Sequence, residues 1–146
     1  MRTLLFAALG VAALAAADGP TAASYKTEAQ LVAALTAGAA TPDMLTSPVS
    51  INDHHRINIV RRTRGAGAVA HDGATELHHI IEGSGTLVTG GTMVRPAGGR
   101  GGATIENGVS RRVSKGDVIV VPSGMPHWYK DLDGTITYLE VRWDEK

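Results

Sequence analysis

The stretch that most constrains this chain is residues 71–83, His-Asp-Gly-Ala-Thr-Glu-Leu-His-His-Ile-Ile-Glu-Gly, which holds three of the six histidines. Asp72-Gly73 is a strong turn signal, because glycine tolerates positive φ and Asp bonds its own backbone. The stretch therefore reads as a hairpin, with His71 ending one strand and residues 76–82 forming the return. Side chains alternate with a period of two along a strand. Glu76, His78 and Ile80 are expected on one face, and Leu77, His79 and Ile81 on the other. Pairing His71 with Glu76 across the turn sets Val69 opposite His78. His71, Glu76 and His78 then converge on one patch, while His79 faces outward.

A second stretch answers the first. Gly116-Asp117 precede an apolar run, residues 118–121, and then Pro122-Ser123-Gly124-Met125-Pro126-His127. The run reads as a buried strand and the Pro/Gly cluster as a tight turn. A rigid loop is then expected to aim His127.

Together these stretches resemble the cupin family. Its first motif has two histidines one residue apart, a Glu about five residues on and a Gly seven further. His71, Glu76 and Gly83 keep that spacing, and the first histidine position falls on Val69. Its second motif has Gly, then Pro six residues on, Gly two later and His three later. Gly116, Pro122, Gly124 and His127 match, and the Asn that often closes the motif falls on Asp131. The resemblance covers roughly residues 56–143. It implies an all-β, double-stranded β-helical jelly-roll barrel around one small-ligand cavity. It also implies His71, Glu76 and His127 as ligands of one divalent transition metal, with Zn, Fe, Mn and Ni all compatible. The hairpin register adds His78, reaching across the ladder into the volume that a histidine at 69 would fill. The alternative is His78 as a supporting group or general base beside a three-ligand metal.

Length and composition narrow the rest. A chain of 146 residues is one domain. Its formal net charge of zero points to neither nucleic acid nor an anionic membrane. Eighteen glycines and few aromatics suit a β-rich fold with many tight turns. With no cysteine there is no disulfide, no thiolate nucleophile and no Cys-held metal.

Residues 1–17 read as a secretory signal peptide, with Arg2 as the positive region, residues 4–16 as the apolar core and Ala15-Ala16-Ala17 at the cut. Cleavage is expected before Asp18, with Thr21-Ala22-Ala23 as a second option and an uncleaved helix as the alternative. The mature protein is then soluble, without a membrane anchor, and periplasmic or secreted. Residues 18–55 read as a leader carrying a short helix and a loop. Thr27-Glu28-Ala29-Gln30 has capping-box form, so a helix is expected from Glu28 to about Ala37, ending at Gly38 and packing on the barrel or a partner subunit. Residues 41–53, with Pro42 and Pro48, read as loop, and His54-His55 as its polar end rather than extra ligands.

The barrel is expected over residues 56–146. Strands are read at 56–63, 68–71, 86–89 and 109–113, with a closing strand at 135–143. That last strand sets Ile136, Tyr138, Glu140 and Arg142 on one face. The glycine loop around Gly101-Gly102 lacks a phosphate-loop continuation and reads as a lid or linker. Arg111 and Arg112 offer forks for an anionic substrate, with solvated surface arginines as the plainer alternative.

No serine triad and no paired carboxylates stand out. The cupin resemblance leaves the reaction open, because one fold hosts many chemistries. One reading is an exported metal-dependent enzyme, of lyase, isomerase or dioxygenase type, acting on a small oxygen-bearing molecule. The other is a non-catalytic metal- or ligand-binding module. An extra acid or base in the barrel separates them, and Tyr129, Tyr138 and Glu140 are the candidates. A homodimer is expected from the elements outside the motifs.

Overall fold

The computed structural model describes residues 23–41, 43–98 and 101–145. The expected signal peptide and cleavage point lie outside these residues. The first element is the helix α1 (Glu28–Ala37), set by its capping box. Gln30 N donates to Thr27 Oγ1 at 3.2 Å, and Thr27 N donates to Gln30 Oε1 at 2.8 Å. Two otherwise orphaned amides are thus satisfied. Leu35 is the buried residue of the helix.

The rest is antiparallel β-structure: β1 (Ala39–Thr41), β2 (Met44–Ile51), β3 (His55–Arg62), β4 (Ala74–Thr89), β5 (Thr92–Val94), β6 (Thr104–Glu106), β7 (Val109–Ser114), β8 (Val118–Val121) and β9 (His127–Asp144). Seven strands form one sheet in the order β1-β2-β3-β9-β4-β7, with β8 also paired to β4, while β5 and β6 form a separate ribbon. This is the expected all-β barrel with one short helix.

Two long strands shape it. β4 and β9 pair from Ala74 opposite Asp144 to Thr89 opposite His127, with register shifts between Ile80 and Glu82, Gly83 and Gly85, and Thr86 and Leu87. Such bulges bend a strand pair. Gly83 belongs at the bend, because its φ is +80° and an added Cβ would stand 2.0 Å from Thr135 O. The core that the bend encloses is Val60, Ile80, Leu87, Val113, Tyr129, Ile136 and Tyr138.

The inward faces stack in rows. Arg56 pairs with Arg142, which pairs with Glu76; Asn58 pairs with Glu140, which pairs with His78; Val60 pairs with Tyr138, which pairs with Ile80. Polar rows thus lie above an apolar floor on the same strands. The alternation expected for β4 and β9 holds: Glu76 and His78 are buried, and His79 is exposed.

Four local expectations are corrected. The segment expected as loop over residues 41–53 carries a strand instead, since β2 pairs with β3 from Met44 to Ile51. Pro48 fits there because it lies beyond the reach of β1 and beside a register shift. Residues 68–71 form a single bridge, Val69 opposite His127, rather than a strand. Residues 86–89 continue β4 instead of standing alone. β8 is an outer strand, with Val118 and Val120 59% and 55% exposed, so its apolar run is only half core.

Candidate metal centre

The two glycine-rich turns are tied to each other before they position any histidine. Gly124 N donates to His71 O at 2.9 Å, and Gly73 N donates to Ser123 Oγ at 2.8 Å. Val69 and His127 exchange both backbone hydrogen bonds, at 3.0 and 2.8 Å. His71 and His127 are therefore fixed by one shared turn assembly. The hairpin register read from sequence is wrong. Val69 lies opposite His127, while Glu76 lies opposite Val121 and Arg142. The side chains of His71, Glu76 and His127 nevertheless converge.

His71, Glu76 and His127 place one ligand atom each within 4.8 Å of the others. His71 Nε2 stands 3.4 Å from Glu76 Oε1, and His127 Nε2 stands 3.6 Å from Glu76 Oε2. His127 Nδ1 is 3.2 Å from Met125 O. A carbonyl only accepts, so that nitrogen carries the hydrogen and Nε2 turns its lone pair toward Glu76. A lone pair and a carboxylate oxygen then face each other with no proton between them. Ligands held at about 2.0–2.2 Å from a metal stand roughly 3–3.5 Å apart, so the donors fit a divalent cation. Glu76 Oε1 is buried without a hydrogen-bond partner, although Arg142 Nη2 lies at ion-pair distance, 3.0 Å.

Burial raises the pKa of Glu76, but the His78 hydrogen bond and the charges of His127, Arg142 and His71 outweigh it. The net pKa lies below the ordinary carboxylate value. Burial is the largest influence on His127 and holds its pKa below the usual imidazole value, against the pull of Glu76. Both shifts favour the forms that bind a metal: ionised carboxylate and unprotonated ring.

His78 lies on the same face but outside this group of three. Its Nε2 is 3.1 Å from Glu76 Oε2, and its Nδ1 is 3.1 Å from Tyr129 Oη. An ionised Glu76 only accepts, so Nε2 points its hydrogen there. Glu76, His78 and Glu140 form a second set of mutually close ligand atoms.

A cavity of about 260 Å³ opens beside this centre. Val69, His71, His78, His127, Tyr138 and Glu140 line it, together with Thr46, Arg56, Asn58, Arg62 and Arg142. Tyr129 is not on its wall; it packs behind His78 in the core. Burial pushes the Tyr129 phenol well above its usual range and that of Tyr138 up to about 12. Arg62 Nε donates to Tyr138 Oη at 3.0 Å, and Asn58 Nδ2 donates to Glu140 Oε1 at 2.9 Å. Arg111 and Arg112 are on the exposed surface, where Arg112 pairs with Asp133. His55 hydrogen-bonds Ser50, and His54 is exposed.

Asn58, Arg56, Arg62 and Thr46 were not singled out from sequence. Period-two alternation places Arg56, Asn58, Val60 and Arg62 together, but the opposite face of β3 carries Ile57 and Ile59 and looks like the inner one. Instead, Ile59 lies with Leu35 and Val32 beneath α1.

Compared with known proteins, residues 48–134 match the cupin family model. The chain belongs to the cupin family. No curated protein matches it in sequence. Among solved structures, KdgF from Halomonas sp. aligns with a TM-score of 0.52 and 17% identity, over 73% of this chain and 84% of that one. A predicted oxalate decarboxylase from Thermotoga maritima aligns with 0.53 and 17%, over 70% and 81%. Fe(II) HppE aligns with 0.58 and 12%, over 73% of this chain and 54% of its own. These likenesses show the shared fold.

Proposed function

We propose that the protein is an exported metal-dependent enzyme acting on a small oxygen-bearing molecule inside the barrel. One observation carries the reading: three ligand atoms, from His71, Glu76 and His127, lie within 4.8 Å of one another beside the cavity. This 2-His-1-carboxylate set suits a first-row divalent ion and leaves positions open. When bound, the ion supplies Lewis acidity to an oxygen of the ligand. The relatives described as a predicted oxalate decarboxylase and as Fe(II) HppE are in keeping with that chemistry.

The side chains have separate tasks in this reading. His78, expected from sequence as a fourth ligand, has both nitrogens engaged and holds Glu76 in place. Glu140 is the carboxylate on the cavity wall outside the three ligands, so it is the group to take a proton from substrate. Tyr138, with its pKa pushed up to about 12, keeps its hydrogen and donates it. Tyr129 orients His78 and does not touch substrate. The test is turnover of small hydroxy, keto and dicarboxylic acids by metal-loaded protein. Activity lost in Glu140→Gln, with metal content intact, supports the reading.

A non-catalytic binding module is the second reading. It is favoured by the retreat of Tyr129 from the cavity, which leaves Tyr138 as the one phenol beside Glu140 on the wall. No turnover across the panel, with metal and ligands still bound, would select it.

Export and pairing complete the proposal. Residues 1–17 carry the signal pattern, and intact mass of the mature protein beginning at Asp18 tests it. A homodimer is consistent with the exposed Val118, Val120 and Trp143, and light scattering tests it.

A further inference from the structure

Resting on the proposed ligand cavity, we propose that Arg56 and Arg142 form a clamp at its mouth for an oxyanion group of the ligand, a carboxylate or a phosphate. The two residues are directly opposed on β3 and β9. Both line the 260 Å³ cavity, so their side chains share its face. Directly opposed residues have Cβ atoms about 4.5–5.5 Å apart, and like charges there destabilise a sheet. An oxyanion seated between the two would relieve that repulsion.

The protein's own carboxylates supply only part of that anion. Arg142 Nη2 lies 3.0 Å from Glu76 and 3.7 Å from Glu140, but its Nε is buried without a partner. Arg56 makes no ion pair among the described residues. A third guanidinium, Arg62, also lines the cavity, while Asp72 and Asp144 line the outer space beside the exposed Arg56.

Location agrees with charge. A second, polar space of about 390 Å³ adjoins the first, and Arg56, His71 and Arg142 line both. The clamp therefore sits where the outer space meets the inner one. A guanidinium offers a planar fork that matches carboxylate and phosphate oxygens. The inner cavity is below the roughly 300–1,000 Å³ of drug-sized sites, so the ligand is small. Thr46 Oγ1, also buried and unpartnered, borders the same cavity and offers a further polar contact. All the orphaned buried side-chain atoms of the described residues belong to Thr46, Glu76 and Arg142, around this one space.

The experiment is calorimetric titration with sodium malonate, inorganic phosphate and neutral malonamide. Each is added to metal-loaded and to chelator-stripped protein. Malonate or phosphate should bind and malonamide should not; the tighter of the two anions identifies the head group. Arg56→Gln should weaken anion binding roughly 10–100-fold, the scale of a charge-assisted hydrogen bond, with metal stoichiometry unchanged. Arg56→Lys should recover part of the loss, and the surface variant Arg111→Gln should behave as wild type. Equal binding of malonamide would overturn the clamp, as would unchanged anion affinity in Arg56→Gln. Anion binding that depends on Arg56 in a protein that takes up no metal would keep the clamp and sink the metalloenzyme reading. Metal binding without anion binding would do the reverse.

Discussion

Val69 and His127 pair back to back, each donating its backbone N–H to the other's carbonyl, at 3.0 and 2.8 Å. The pairing fixes the His127 loop and sets a valine on the cavity wall with three imidazoles, those of His71, His78 and His127. In the family pattern a histidine stands at this position. The proposed site therefore keeps three of the four side chains of that pattern.

Restoring the missing donor should tighten metal binding. Val69→His is expected to raise metal affinity by at least the about 10–100-fold that an outer partner of a ligand commands. Competition with a chromophoric chelator measures it. Unchanged affinity would mean that position 69 does not face the metal.

His78 and His79 should separate cleanly. His78→Ala removes the hydrogen bond to Glu76 and should weaken metal binding about 10–100-fold. His79→Ala, exposed on the outer face, should leave it unchanged. A loss of many orders of magnitude in His78→Ala would make His78 a ligand after all.

Acid should destabilise the metal-free protein in two windows. Burial holds His127 below the usual 6.5, so below that pH the unfolded chain takes up a proton that the folded state refuses. Stability falls as pH drops from there toward the folded pKa. Glu76 lies below 4.5, so its contribution is present above that value and lost as pH falls through the folded pKa. Thermal midpoints across the acid range measure both. His127→Gln should flatten the upper window and, because the His127 charge helps hold Glu76 low, narrow the lower one. A midpoint that rises on acidification would contradict both assignments.

The bend at Gly83 should be intolerant of a side chain. Gly83→Ala meets Thr135 O at 2.0 Å in a left-handed backbone. The φ penalty alone is about 1–2 kcal/mol, and the clash adds to it. Chemical denaturation should show at least that loss; a neutral effect would mean the bulge shifts freely.

What the sequence disclosed was local or carried by spacing. The capping box placed α1 to the residue, and both glycine motifs named His71, Glu76 and His127. Period two put Glu76 and His78 inward without requiring the right partner. Partners themselves are nonlocal. Val69 meets His127 across 58 residues of chain, and no turn signal encodes that. β2 was hidden by Pro48, which a strand tolerates only where a neighbour ends. The arginines of the cavity were hidden because β3 turns its polar face inward and Ile59 toward α1.

The metal proposed at His71, Glu76 and His127 has a definite stoichiometry. Elemental analysis of untagged protein, purified without chelators, tests it most directly. About one first-row divalent ion per chain is expected, with the ion lost in the His71→Ala/His127→Ala double variant while the fold is retained by circular dichroism. A content far below one that added metal does not restore would contradict it, as would full content in the double variant.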